Sequence, residues 1–133
     1  MTNNELINAF REARYFIQNS GIYIVLDDVN AELDDILDEY NVSEWVLITA
    51  WNPGGFRITV DNNQNRQIEL LQDLEDYKIL DARGESPDHS WYEDGFLVLG
   101  LDMKKGSELA IKYGQKAILY GRIGHNAELI IID

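Results

Sequence analysis

Hydrophobic spacing divides the chain into helical stripes and extended runs. Leu6, Phe10 and Ala13 recur at steps of four and three behind Thr2 and Glu5, which stand at capping-box spacing, and predict a helix from Thr2 to about Phe10. Residues 13–17 and 22–26 are rich in β-branched and aromatic side chains and flank Asn19-Ser20-Gly21, the pattern of a hairpin. Val29, Leu33, Ile36, Leu37 and Tyr40 then draw one apolar stripe on a second helix, with Glu32, Asp34, Asp35, Asp38 and Glu39 on its other face. Residues 45–50 are almost continuously apolar, as expected of a strand covered on both faces. That run stops abruptly at Asn52-Pro53-Gly54-Gly55.

Beyond this corner, Asp61 or Asn62 can cap a helix that turns Ile68, Leu71 and Leu74 inward. Residues 77–82 and 96–101 read as strands separated by a loop through Gly84, Pro87 and Trp91. A helix from about Lys104 to Tyr113 ends at Gly114, and residues 117–120 and 129–132 close the chain as a hairpin around Gly124-His125-Asn126. The order α, β, β, α, β, α, β, β, α, β, β predicts an α+β, or mixed α/β, domain over residues 1–133. A mixed sheet would be covered by three to four helices, with hairpins at both ends.

Composition narrows the function classes. The 133 residues are 45% hydrophobic and include 3 Trp, 7 Tyr and 4 Phe, enough apolar material for one core and too little chain for two. Without cysteine there is no disulfide framework, thiolate metal site or thiol nucleophile. Neither a leader pattern at the N-terminus nor a membrane-length apolar run is present, so a cytoplasmic location is the expectation. The net charge of −13 argues against direct nucleic-acid binding and against an anionic membrane surface, and Lys104-Lys105 is the sole basic pair to set against it.

Four short motifs carry a resemblance: T-A-W-N-P at residues 49–53, N-x-x-R from Asn63 to Arg66, W-x-E from Trp91 to Glu93, and Y-G-Q-x-A at residues 113–117. In this order and spacing the chain resembles a bacterial domain-of-unknown-function family, number three-two-nine-three, over about residues 44–120. Tyr113 stands where Phe is commoner in that family, and the loop of residues 54–60 is glycine-led rather than serine-rich. The resemblance implies where a site lies and no activity.

Physical chemistry points to the same place. A strand that ends in a Gly-containing loop before a helix start offers backbone N–H groups and the positive end of a helix dipole. Asn52 has donors and an acceptor, and Arg66 can pair bidentately with a carboxylate or phosphate. A plain turn, with Asn52 satisfying its own backbone, is the competing reading. Glu93, next to aromatic residues, can be a desolvated acid or base or can simply order its loop. Gln115 fits a structural clamp or an edge-recognising amide. His89 and His125 lack zinc-ligand neighbours, and nothing in the sequence calls for a cofactor.

The expected site is therefore a polar cleft built from Trp51, Asn52, Asn63, Arg66, Trp91, Glu93 and Gln115. It would bind a small polar, anionic or nucleotide-like ligand, with Trp51 or Trp91 stacking and Arg66 taking the charge. Glu93 is the one candidate for catalysis, and without a nucleophile beside it binding takes precedence over an enzymatic role. The alternative is an acidic interaction module that occupies a basic surface of a partner protein, as a nucleic-acid mimic, antitoxin or immunity-type protein would.

Overall fold

The computed structural model describes residues 2–132 and contains four α-helices and seven strands. They follow the chain as α1 (Asn3–Glu12), β1 (Arg14–Ile17), β2 (Ile22–Ile24), α2 (Ala31–Glu39), β3 (Glu44–Ile48), α3 (Val60–Asp73), β4 (Lys78–Glu85), β5 (Tyr92–Leu99), α4 (Met103–Lys112), β6 (Ala117–Arg122) and β7 (Glu128–Ile131). A short 3-10 turn, Pro53–Gly55, follows β3. The α+β class and the element order match the hydrophobic pattern.

The sheet differs from the expected mixed one. Its order is β2-β1-β4-β5-β3-β6-β7, and every pair of named strands is antiparallel. Alternation of helices and strands does not impose parallel pairing here, because β4 and β5 form a long hairpin and α2, α3 and α4 each return the chain to an antiparallel slot. The one parallel feature is an isolated bridge between Leu26, just after β2, and Ala127, just before β7. Asp27 N–H donates to Ala127 C=O (2.8 Å) and Ala127 N–H to Asp28 C=O (3.0 Å), so the two edges of the sheet meet at this point and the sheet curls toward closure.

Alternation along the strands then sorts side chains into two cores. Inside the curl, Tyr15, Ile17, Ile24, Trp45, Leu47, Leu97, Leu99 and Leu119 pack with Leu33 and Leu37 of α2. Outside it, Val46, Ile48, Phe96, Val98 and Ile118 pack under Leu70 and Leu74 of α3 and Leu109, Ala110 and Tyr113 of α4. Each fully buried leucine contributes on the order of 2 kcal/mol relative to exposure.

Three local expectations are corrected. Val29 and Tyr40 lie outside α2, which starts after the Asn30 cap, and both are exposed. Helix α3 is capped by Thr59 rather than Asp61 or Asn62, and its inward row is Asn63, Gln67, Leu70 and Leu74, leaving Ile68 and Leu71 exposed. Strands β4 and β5 run on through Gly84 and Glu93, so the connection shrinks to the turn between Glu85 and Tyr92. Gly84 belongs in the sheet because the Tyr15 ring crosses it: a Cβ there would lie 2.9 Å from that ring.

Candidate functional site

At the end of β3 the chain leaves the sheet while still buried, and its backbone polar groups need partners. Side chains supply them. Ala50 N–H donates to Gln67 Oε1 (2.7 Å), and Arg66 Nε donates to Ala50 C=O (2.9 Å). Trp51 N–H donates to Thr49 Oγ1 (3.0 Å), and Gln115 Nε2 donates to Trp51 C=O (3.2 Å). Asn52 N–H donates to Asn63 Oδ1 (2.8 Å), whose Nδ2 returns a bond to Asn52 Oδ1 (2.9 Å). Asn52 adopts a left-handed backbone, φ 45°, ψ 68°, which asparagine tolerates better than most residues.

The predicted residues therefore divide. Asn52, Asn63, Arg66 and Gln115 do converge on one corner, but most of their hydrogen-bonding capacity is spent on the protein itself. Arg66 is the clearest case: its second contact, Nη2 to Tyr113 C=O, joins α3 to the end of α4, so both ends of its guanidinium hold carbonyl groups. Trp51 is buried against Tyr92, ring centroids 5.7 Å apart, and does not reach the cavities described below. Tyr113, where Phe is commoner in the resembling family, uses its hydroxyl to donate to Asp73.

Glu93 and Trp91 belong to a second region, on the inner side of the curl under α1. Across the sheet Tyr15 pairs with Gly84 and Gly84 with Glu93. The missing side chain at Gly84 lets the Tyr15 ring lie toward Glu93. Two adjoining cavities share Phe10, Trp91 and Glu93 as walls. The inner one, about 40 Å³, is also lined by Tyr15, Thr49 and Gln115. The outer one, about 140 Å³, is also lined by Leu6, Ala9, Asn52, Gly55 and Arg57.

Among the described residues, the Glu93 carboxyl has no cation within salt-bridge distance and no side-chain hydrogen bond. No completely buried side-chain polar atom lacks a partner, so the Glu93 oxygens owe their remaining exposure to the cavities. Burial pushes the Glu93 carboxyl up to about 8. Burial, and after it the Glu93 charge, hold the Tyr15 phenol above its usual range, and that hydroxyl donates to Phe10 C=O (2.7 Å).

Gln67, Tyr15, Phe10 and Arg57 were not picked out by the sequence pattern. Gln67 had a readable signal, since it continues the Asn63 row at i+4 toward Leu70 and Leu74. Phe10 and Tyr15 gave none, because they meet Glu93 only when the sheet curls. Exposed acidic residues occur on all four helices, for example Glu12, Asp35, Glu69 and Glu108, and on and just before α2 six of them, Asp27, Asp28, Glu32, Asp35, Asp38 and Glu39, fall within one stretch that carries no Lys or Arg. Among the described residues no cluster of three His, Asp or Glu has metal-binding geometry, and no helix is long and apolar enough to cross a membrane.

Residues 48–118 match the family described as a protein of unknown function (DUF3293), and the chain belongs to it. No curated protein and no solved structure matches. The matched segment holds the whole corner together with Trp91, Glu93 and Gln115, whereas the walls supplied by α1 and β1 lie outside it.

Proposed function

We propose that this family member binds a small polar molecule in the chamber under α1, with the Glu93 carboxyl as its anchor. The observation that carries the reading is a carboxyl group without a protein partner, facing two adjoining cavities among aromatic walls. Leaving such a group unpaired costs free energy, and a ligand donor recovers it. Size sets a limit. The outer cavity, about 140 Å³, falls below the ~300 Å³ at which drug-sized pockets begin, so the occupant is a small molecule or one end of a larger one, not a whole nucleotide. Arg66, expected to take an anion, is engaged with carbonyl groups, which moves the support from an anionic end to a donor end.

Ligand-observed NMR with a library of small polar compounds tests this, run on the native protein and on Ala9→Phe, which fills the outer cavity from a half-buried helix position. Hits should compete with one another and vanish in the folded variant. No hits on the native protein, or hits that persist in Ala9→Phe, would overturn the reading. Because its carboxyl is pushed up to about 8, Glu93 can also exchange protons near neutral pH, which favours acid–base catalysis as a second reading. Recovery of every bound compound unchanged after long incubation would count against that one.

A further inference from the structure

We infer that the chamber is built for a small zwitterion of the amino-acid type, inserted ammonium-first toward Glu93 with its carboxylate at the mouth beside Asn52 and Arg57. The inference rests on the chamber reading above and adds the ligand's chemical class and direction.

Hydrogen-bond capacity supports it. Among the donors that line the inner cavity, Thr49 Oγ1 is spent on Asp94 C=O, the Tyr15 hydroxyl on Phe10 C=O, and Gln115 Nε2 on Trp51 and Tyr113 carbonyls, which leaves the indole N–H of Trp91, on the wall shared with the outer cavity. Those carbonyls fix the Gln115 amide so that its Oε1, which accepts no bond from the described residues, remains as an acceptor. The inner cavity thus offers two acceptors, Glu93 and Gln115, and a group rich in N–H donors answers both. Its volume, about 40 Å³, exceeds the ~10–15 Å³ that one water-sized group needs, so an ammonium head fits. Phe10, Tyr15 and Trp91 supply ring surface that favours a cation.

The outer cavity has the opposite character. Asn52 Oδ1 is held by Ile58 N–H and Asn63, while its Nδ2 meets no acceptor among the described residues. Arg57 lines the mouth without an ion pair. Donors outside and acceptors inside set the direction of a ligand with unlike ends.

Protonation gives a test that does not depend on a variant. The ionisable groups facing Glu93 are Tyr15 from β1 and Arg57 from the loop after the corner; α1 contributes Leu6, Ala9 and Phe10, and β6 and β7 contribute Ala117 and Leu129, none of which titrate. An entering ammonium group requires Glu93 to release its proton, so affinity should climb with pH up to about 8. The climb approaches about tenfold per pH unit below that point.

Calorimetry and ligand-observed NMR with γ-aminobutyrate, butylamine, butyrate and butanol on the native protein make the comparison. At pH 8, γ-aminobutyrate should bind at least about tenfold more tightly than butyrate or butanol, and more tightly than butylamine. Near pH 7 most of one proton should be released per molecule bound. Glu93→Gln, which keeps the side-chain shape, should lose about tenfold or more in affinity for γ-aminobutyrate together with the pH slope. Butyrate or butanol binding as well as γ-aminobutyrate, with binding lost in Ala9→Phe, would overturn the zwitterion while leaving the chamber reading in place. Butylamine binding more tightly than γ-aminobutyrate would overturn the proposed outer contact and with it the ligand class. If none of the four binds while other compounds do so in an Ala9→Phe-sensitive way, the zwitterion falls alone, and if nothing binds, both readings fall.

Discussion

The corner after β3 and the chamber under α1 are neighbours built partly from the same motifs, yet they treat polar groups in opposite ways. At the corner, Gln67, Arg66 and Asn63 are engaged by the backbone of residues 50–52, and Gln115 donates its Nε2 there. In the chamber, Glu93 faces a cavity with no partner. The contrast teaches that a cluster of polar side chains marks a functional site only where hydrogen-bonding capacity is left over. Here the corner is the scaffold, and it fixes Asn52 and Gln115 as walls of the chamber.

The largest effect should come from Gln67→Ala. It leaves Ala50 N–H without a partner and takes one of two donors from Asp94 C=O. A loss of about 3 kcal/mol in urea unfolding is expected. A loss below about 1 kcal/mol would mean that the corner is not held as described. Arg66→Ala should follow at about 2 kcal/mol, since two carbonyl groups lose a charged donor. Chamber binding by the folded variant should change less than about twofold by the same scaffold argument. Selective loss of binding with stability intact would instead return Arg66 to the site.

These scaffold residues show what the sequence could and could not disclose. The stripe Leu33-Ile36-Leu37 and the apolar run of β3 were legible because the buried face there is apolar, which is what periodicity detects. Helix α3 inverted that rule. Asn63 and Gln67 occupy the inward face to satisfy the corner while Ile68 and Leu71 face solvent, so a hydrophobicity argument picks the wrong side. Gly84 and Glu93 looked like the punctuation of a loop, whereas each sits in a strand for a reason visible only across it: the Tyr15 ring over one and the cavity beside the other. Closure through Leu26 and Ala127 joins residues about a hundred positions apart and leaves no local trace. The location of Asn52, Glu93 and Gln115 near one another was legible from the motifs; the division of labour among them was not.

A pH-dependent effect sharpens the chamber half of the comparison. The carboxyl of Glu93 is raised from its ordinary 4.5 to about 8, so between these values the folded protein holds more protons than the unfolded chain. Its contribution to stability is full below about 4.5 and is lost as pH rises to about 8. Glu93→Gln removes that loss. Its melting temperature should therefore gain on the native protein as pH rises from 5 to 9. A constant difference across that range would contradict the half-buried, partnerless carboxyl.

The most direct test is the titration of Glu93 itself, followed through its side-chain carboxyl carbon by NMR in the ligand-free protein. A midpoint near 8 is expected, far above the carboxyl's ordinary value of 4.5. A midpoint at or below about 4.5 would show that the carboxyl is solvated or paired, and the claim that the chamber holds spare polar capacity would be wrong.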